Sequence, residues 1–293
     1  DGSSRFGKNN RYALFPAFSL GWRLNNESFI KDNLSSLSDL KLRFGWGVNG
    51  NQDNIDRYAN KTLYATNYSG GDPTWDAPNG TAYNFSGSGS GNLPSGYQLI
   101  QRSNDDVRWE SMTQSNLGLD FGFLNQKIYG SIDYYIKTTS DMLIRPGYIA
   151  AVGEGGYRWV NGASMQNKGF EIVAGYKGNV VKDLQFNVTA NFALYRNKVT
   201  KLPETVVNTY GGNGTTDNIL GQSWGSGYGY VADGLFKTQD EVANSAEQLG
   251  KGLGRIRYKD LNGDGIIDQQ DRTWILNPTP AFTYGMNLSL SYK

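Results

Sequence analysis

The sequence contains neither cysteine nor histidine among its 293 residues. The first absence excludes disulfides, thiolate nucleophiles and cysteine-based metal sites. The second excludes His-dependent catalytic triads, His metal ligands and the usual proton shuttle near neutral pH. The formal net charge is only +1, so no global field favours nucleic acid as a partner. No long apolar run is present and the mean hydropathy is −0.54, which argues against a transmembrane helix.

The chain is rich in glycine, with 38 residues, and in aromatic residues, which make up 13% of it. Its strongest pattern is an alternation of apolar and polar residues, which predicts β-strands. In Asp39–Gly50, for example, Leu40, Leu42, Phe44, Trp46 and Val48 alternate with polar or small residues. We predict seven strands, near residues 12–24, 39–50, 107–123, 127–138, 168–177, 184–199 and 282–293.

The connections between these segments alternate in length. They contain 14, 56, 3, 29, 6 and 82 residues in chain order. An antiparallel up-and-down transmembrane β-barrel has short turns at one rim and long loops at the other, which produces this alternation. A soluble β-sandwich would show the same strand pattern, but it has no reason to collect its long loops at one end. The pattern therefore favours an all-β barrel segment, and the sandwich remains the alternative.

The barrel interpretation assigns the two faces of the strands. Apolar side chains point outward to lipid, because the closed hydrogen-bond ladder satisfies the backbone. The opposite face lines a wet or plugged interior, and its charged residues are Lys41, Arg43, Asp120, Asp133 and Glu171. We expect the turns 25–38, 124–126 and 178–183 to be periplasmic and the long loops 51–106, 139–167 and 200–281 to be extracellular.

Bacterial barrels have an even number of strands, so seven strands predict a part of a larger barrel. The sequence also begins at Asp1 with neither a methionine nor an apolar targeting segment. We therefore expect either that processing removed such a segment or that the chain is a slice of a longer one.

Several different short motifs follow one another along the whole chain. They include Asp1–Gly7, Gly21-Trp22-Arg23, Leu37–Arg43, Asn116–Asn125, Ile132–Tyr135, Thr139–Leu143, Asn167–Glu171, Asp233–Phe236 and Phe282–Gly285. In these motifs the chain resembles the barrel of SusC/RagA-type TonB-linked outer-membrane transporters. No one motif is decisive, and the specificity comes from their shared order.

The resemblance implies a single TonB-dependent receptor β-barrel domain over residues 1–293, as part of a 22-stranded barrel in the bacterial outer membrane. It also implies an importer of oligosaccharides or peptides rather than an enzyme, energised through TonB and working with a SusD-like surface lipoprotein. The plug and the TonB-contacting segment of the family do not occur in this sequence, so transport would need the rest of the transporter. The alternative function is a soluble, calcium-stabilised β-sandwich module that binds glycans.

One segment has the spacing of a calcium loop. Oxygen donors fall at positions 1, 3, 5, 9 and 12, position 7 offers a backbone carbonyl, and Gly265 occupies position 6, where the chain must turn sharply. The predicted ligands are Asp260, Asn262, Asp264, Ile266 (through its carbonyl), Asp268 and Asp271. A polar Asn-Gly/Asp-Gly turn without metal is the alternative. We expect Ca²⁺ to have a structural role here.

The predicted loops are also rich in aromatic residues, which either pack the loops or stack on sugar rings. For any single ring we favour packing, because ordering long loops requires buried area. These residues are Trp75, Tyr83, Tyr97, Tyr157, Trp159, Tyr210, Trp224, Tyr228, Tyr230 and Trp274. A short helix is predicted from Thr238, with Glu241 at capping-box spacing.

Overall fold

A computed structural model describes residues 1–65, 98–145, 158–204, 218–277 and 279–292. Strands dominate this part of the chain. In chain order they are β1 (Ala17–Arg23), β2 (Leu37–Asn51), β3 (Leu63–Ala65), β4 (Gln98–Gln101), β5 (Glu110–Phe123), β6 (Ile128–Ile144), β7 (Val160–Val181), β8 (Leu184–Lys201), β9 (Gly227–Tyr230), β10 (Ala232–Leu235), β11 (Ile256–Tyr258), β12 (Arg272–Leu276) and β13 (Phe282–Tyr292).

The helical elements are short. They are α1 (Ser28–Lys31), α2 (Gln239–Asn244) and the 3₁₀ turns Leu24–Asn26 and Gln269–Asp271. Thr238 caps α2 by accepting a hydrogen bond from the Glu241 backbone N–H, as the sequence predicts. None of the helices in the described residues has the length and apolar character needed to cross a membrane.

Seven strands form one sheet in the order β1-β2-β5-β6-β7-β8-β13, and each corresponds to one of the predicted segments. Neighbouring strands in this sheet follow one another along the chain. The short strands β3, β4 and β9 to β12 lie in the long connections between them and form separate two-stranded sheets. The pairs β1–β2, β7–β8 and β8–β13 are antiparallel, and β13 pairs with β8 from Phe282↔Leu194 to Tyr292↔Leu184. The sheet is an open up-and-down meander, in which successive connections emerge at opposite ends.

The strand boundaries differ from the prediction mainly on the side of the long connections. β7 has 22 residues where ten showed alternation, and β6 runs to Ile144 rather than 138. A strand of 22 residues spans about 70 Å, whereas the apolar band of a barrel is about 25 Å tall. Outside such a band no lipid requires one face to be apolar, so these strands continue without the pattern from which they were predicted.

β1 is shorter than predicted, because it begins at Ala17 rather than at residue 12. Pro16 has no backbone N–H to donate to a ladder. Phe15 turns instead to pack edge-on against Trp109, with 5.4 Å between the ring centroids. Its ring lies over Gly50, where a Cβ atom would collide with it.

The chain divides into two compact units. The first contains the described residues of Asp1–Pro16, Asn49–Met112 and Thr139–Ala163. Its small core consists of almost fully buried residues, which are Phe6, Ile55, Ala59, Val107, Trp109, Leu143 and Trp159. Backbone carbonyls of this unit are fixed by side chains: Arg5 Nη1 donates to Gln52 and Ile55, and Asn60 Nδ2 donates to Phe6.

A second set of contacts in the first unit surrounds Asp141, which has a positive φ of 53°. Arg108 binds its carboxylate with two hydrogen bonds, of 3.1 Å from Nε and 2.7 Å from Nη2. Asn161 accepts from the Arg108 N–H and donates to the carbonyls of Arg108 and Asp141. These bonds hold the unusual backbone of Asp141 in place.

The second unit contains the described residues of Ala17–Val48, Thr113–Thr138 and Ser164–Lys293. Besides the main part of the seven-stranded sheet, it includes two ribbons within the last long connection, β9 with β12 and β10 with β11. Phe236 is almost fully buried beside the second ribbon. Gln248 ties the segment after α2 to β11, because its side chain donates to the Ile256 carbonyl and accepts from the Tyr258 N–H.

Candidate functional site

The apolar face of the seven-stranded sheet is exposed along its edge strands. On β1, Phe18 and Leu20 are 58% and 69% exposed, and on β13, Tyr284 and Met286 are 80% and 78% exposed. A soluble sandwich would bury these side chains between two sheets. The other sheets in the described part of the chain are two-stranded ribbons. The arrangement thus contradicts the sandwich and fits a wall whose apolar face meets lipid.

The polar face carries a network of three charges that the sequence placed on one face. Arg43 on β2 binds Asp120 on β5 in a bidentate manner, with Nε–Oδ2 and Nη2–Oδ1 distances of 2.9 and 2.8 Å. Its Nη2 also lies 3.1 Å from Oδ2 of Asp133 on β6. Gly118 makes room for the cluster, because a Cβ atom there would lie 2.7 Å from the Arg43 guanidinium carbon. The network crosses three strands of the wall and carries one more negative charge than positive.

The same face has a feature that the alternation did not reveal. Tyr129 and Tyr135 on β6 lie over Gly175 and Gly169 of β7, where any Cβ atom would overlap their rings. Tyr129 Oη is 2.9 Å from Asn187 Oδ1, and Lys177 Nζ lies 5.6 Å from the Tyr129 ring centroid. Glycine in a strand often marks such a close approach, so Gly169 and Gly175 were the sequence feature that could have predicted these contacts.

A cavity of about 610 Å³ lies near the short turns. Two lysines, Lys127 and Lys177, line it together with amide and hydroxyl groups of β7, β8 and β13. The adjoining β5–β6 turn is tight, since Leu124, Asn125 and Gln126 all have positive φ. The Leu124 N–H donates to the Ser36 carbonyl and the Gln126 N–H donates to the Ser38 hydroxyl, and these bonds anchor the turn beside the start of β2.

The predicted calcium loop lies between β11 and β12. The backbone turns sharply in this loop, where Gly263 and Gly265 have φ values of +77° and +85°. The two carboxylate oxygens of Asp260 accept from the Gly263 and Gly265 N–H groups, at 2.6 and 2.7 Å. Asn262 accepts from the Asp264 N–H and donates to its carboxylate.

The end of the loop is held by Asp271, whose side chain is 0% exposed. Its Oδ1 accepts from the Leu261 N–H at 2.7 Å and its Oδ2 accepts from the Asp268 N–H at 2.8 Å. The Asp268 N–H, followed by further backbone donors, lowers the pKa of Asp271 below its ordinary value, although burial opposes this. Ile266 lies where the loop joins the segment after α2, through an isolated bridge with Glu247.

The described residues contain no group of three or more acidic side chains that converge on one point. The six predicted ligands lie within one short loop, but its carboxylates accept hydrogen bonds from backbone N–H groups instead of converging on one point. Calcium binding itself stays a prediction.

Of the aromatic residues singled out in the loops, Trp159 is packed in the core of the first unit, as favoured, and its Nε1 donates to Asp56. Trp224 is 60% exposed. Tyr228 packs with Trp274, and Tyr230 packs with Tyr258. The others, Trp75, Tyr83, Tyr97, Tyr157 and Tyr210, lie outside the described residues.

Comparison with known proteins gives the same family over the whole chain. The family model described as "TonB dependent receptor-like, beta-barrel" matches residues 1–293. The chain is 31% identical to the TonB-dependent receptor SusC of Bacteroides thetaiotaomicron and 30% identical to the TonB-dependent receptor P3 of Formosa agariphila. Each alignment covers 100% of this chain, but only 27% and 28% of the relatives. The chain therefore spans little more than a quarter of the length of these curated proteins.

Solved structures agree with the sequence matches. The chain superposes on the RagAB peptide importer in its "closed-closed" state with a TM-score of 0.71 and 25% identity, over 100% of this chain and 29% of that one. A second RagAB peptide transporter structure gives a TM-score of 0.70 and 26% identity, over 99% of this chain and 29% of that one. The chain is thus similar in fold to a part of these longer RagAB chains.

Proposed function

The chain belongs to the TonB-dependent receptor β-barrel family, and on this premise we propose that it forms part of the wall and the loops of a nutrient importer. Members of this family are outer-membrane transporters rather than enzymes. The observation that supports the proposal most directly is the single sheet with an exposed apolar face and a charged, hydrogen-bonded polar face. Such a wall separates lipid from an aqueous or plugged interior.

The proposal includes the partners and substrates that the resemblance implies. A SusD-like lipoprotein would cover the side of the long connections, and TonB would act through parts of the transporter outside this sequence. The substrate would be an oligosaccharide or a peptide. The similarity to SusC, a TonB-dependent receptor, supports the role of TonB, and the similarity to RagAB, a peptide importer, supports a peptide as one substrate class.

Uptake by cells that carry the full-length receptor tests this function. We expect fluorescently labelled oligosaccharides or peptides of three to six units to enter wild-type cells, and uptake of that class to fall to background when either the receptor or TonB is deleted. Re-expression of the receptor should restore it. Uptake that persists without TonB, or a receptor found in the soluble fraction after lysis, would contradict the proposal.

We also propose that the loop between β11 and β12 binds Ca²⁺ as a structural ion. The support is the spacing of the oxygen donors within Asp260–Asp271, together with the sharp turn at Gly263 and Gly265. Four carboxylates in such a short segment repel one another, and a divalent cation would relieve this repulsion. The metal would be held by Asp260, Asn262, Asp264, Ile266, Asp268 and Asp271.

Asp271 gives the loop a predictable pH dependence. Its folded pKa lies below the unfolded value of about 3.9, so its contribution to loop stability is fully present well above that value and is lost as the pH falls through the folded pKa. In Asp271→Asn one of the two buried N–H donors faces an amide NH₂, which costs about 1–3 kcal/mol. Hydrogen exchange of the Leu261 and Asp268 amides in the full-length receptor, with calcium chelated, should show this loss at pH 7.

Asp264→Asn is the matched control, because Asp264 is exposed and an asparagine keeps its bond to the Ile266 N–H. Without calcium, the loop amides of this variant should be as well protected from hydrogen exchange as those of the wild type. With millimolar calcium, the wild-type loop should gain protection and both variants should gain less. If calcium changes the hydrogen exchange of neither the wild type nor the variants, the metal proposal is wrong. The prediction for Asp271 is independent of this result, because it concerns the loop without calcium.

A further inference from the structure

Two lysines lie opposite each other at the short-turn end of the sheet. The Lys177 N–H on β7 donates to the carbonyl of Lys127, the residue before β6, at 2.8 Å, and both residues line the cavity of about 610 Å³. Like charges directly opposite each other on neighbouring strands destabilise their pairing. In the part of the chain that the structure describes, neither lysine has an ion pair. The repulsion between them is therefore not compensated by a carboxylate of these residues.

Uncharged polar side chains continue the cavity across three strands. Lys177 pairs with Asn187 on β8, and Asn187 pairs with Ser289 on β13. The next row, closer to the β7–β8 turn, is paired in the same way and consists of Asn179, Gln185 and Ser291. Paired residues point to the same face of a sheet, so the two rows share one face, opposite to the apolar alternation of these strands. Within the described residues no carboxylate lines the cavity.

Tyr129 positions two of these groups. Its hydroxyl donates to Asn187 Oδ1 at 2.9 Å and lies 3.2 Å from Thr189 Oγ1. The Lys177 ammonium lies 5.6 Å from the centroid of the same ring. Because the carbonyl oxygen of the Asn187 side chain accepts from the tyrosine, its NH₂ group is the part that can donate to a ligand. The tyrosine thus holds a cation and an amide donor in place before a ligand arrives.

We propose that this cavity binds a phosphate group carried by a water-soluble molecule. A phosphate monoester has a charge of about −1.5 to −2 at pH 7, which matches the two lysines, and its three oxygens accept from ammonium, amide and hydroxyl donors. A carboxylate has a single charge and a planar pair of oxygens, for which the arginine fork is the better partner.

The position of the cavity indicates the source of the phosphate. The two rows lie on the polar face, which is turned away from lipid, so a soluble phosphate ester is favoured over a phospholipid headgroup. The volume lies within the range of small-molecule sites and accommodates a molecule the size of a sugar phosphate. The inference goes beyond nutrient uptake, because it does not depend on which nutrient is imported.

Titration calorimetry on the full-length receptor in detergent tests the proposal, in phosphate-free buffer with about 0.15 M NaCl to screen distant charges. The probes are inorganic phosphate and glucose 6-phosphate, compared with glucose, succinate and dihexanoyl phosphatidic acid. We expect the two phosphate probes to bind and glucose not to bind. Lys127→Gln and Lys177→Gln should each weaken phosphate binding by about tenfold or more, since each loses a charge-assisted hydrogen bond. Lys177→Arg keeps the charge and should keep most of the affinity.

Lys182→Gln is the matched control, because Lys182 is an exposed lysine of the β7–β8 turn that does not line the cavity. It loses the same charge nearby and should bind phosphate as the wild type does. Hydrogen exchange adds a second measurement: without phosphate, the β7 amides of Lys127→Gln should be at least as protected as in the wild type, because the repulsion is removed.

Four results would overturn the proposal. They are that neither phosphate probe binds, that Lys182→Gln weakens binding as much as Lys127→Gln, that succinate binds as tightly as glucose 6-phosphate, or that the phosphatidic acid alone binds. Loss of β7 protection in phosphate-free Lys127→Gln would also contradict it, because the two lysines would then not repel each other.

Discussion

Replacing Phe6 by alanine is expected to remove about 3–5 kcal/mol from the stability of the first unit, the range for truncating a buried aromatic residue. Phe6 is 0% exposed, and its ring centroid lies 5.1 Å from that of Trp109. The preceding and following backbone cannot collapse into the cavity easily, because Asn60 holds the Phe6 carbonyl and a close approach to Asp105 fixes Gly7. The unit has a small core, so one lost ring is a large part of it.

Hydrogen exchange on the full-length receptor in detergent would show this as a local effect. Amides in residues 98–112 should lose protection in Phe6→Ala, whereas those of residues 164–181 in β7 and those of β8 and β13, which lie in the second unit, should keep it. Tyr58→Ala is the control, because Tyr58 lies in the same unit with its side chain 63% exposed, and a change of less than about 0.5 kcal/mol is expected there. Equal losses in the two variants would mean that the core around Phe6 does not stabilise this unit.

The sequence predicted the sheet because lipid imposes a period of two. Every second residue of β13 from Phe282 to Tyr292 is apolar, and the same parity runs through β8 from Leu184 to Leu194. Where a strand leaves the lipid, one face no longer has to be apolar, and the alternation in the sequence ends. The sequence predicts a loop for the first eight residues of β7, Val160–Asn167, because they show no clear alternation, yet they continue the strand.

The core of the first unit could not be predicted for a different reason. Its members come from segments far apart in the chain, and the bond between Asn60 and the Phe6 carbonyl spans 54 residues. Contacts over such separations leave no local periodicity in the sequence. The glycines at positions 7 and 50 reflect close approaches of Asp105 and Phe15, but glycine alone does not name its neighbour.

The candidate sites show the same division between local and long-range information. The alternation along each strand placed Arg43, Asp120 and Asp133 on one face. Their pairing depends on the register between strands, because Arg43 is 77 residues from Asp120 and 90 residues from Asp133 in the chain. The calcium-type loop was found from spacing alone because its residues all lie within Asp260–Asp271. By contrast, the cavity beside Lys127 and Lys177 joins β7, β8 and β13, whose register the sequence does not show.

Introducing a charge on the apolar face tests the physical basis of the whole assignment. Leu288 lies near the middle of β13, is 58% exposed and pairs with Val188 on β8. Leu288→Lys in the full-length receptor is expected to destabilise the barrel by about 2–4 kcal/mol, because an ammonium group near the bilayer midplane loses its hydration. Urea unfolding of the receptor reconstituted in phospholipid vesicles measures the difference.

Asn287→Lys is the matched control, because Asn287 is the adjacent residue, is exposed and points to the polar face. Its lysine would remain in a wet interior, so a change of less than about 1 kcal/mol is expected. Parity alone separates the two variants: they differ by one position along the strand and carry the same new charge. If both lysines were tolerated equally, or if Asn287→Lys were the more harmful, then the face exposed in Leu288, Met286 and Tyr284 would not be the one in contact with lipid.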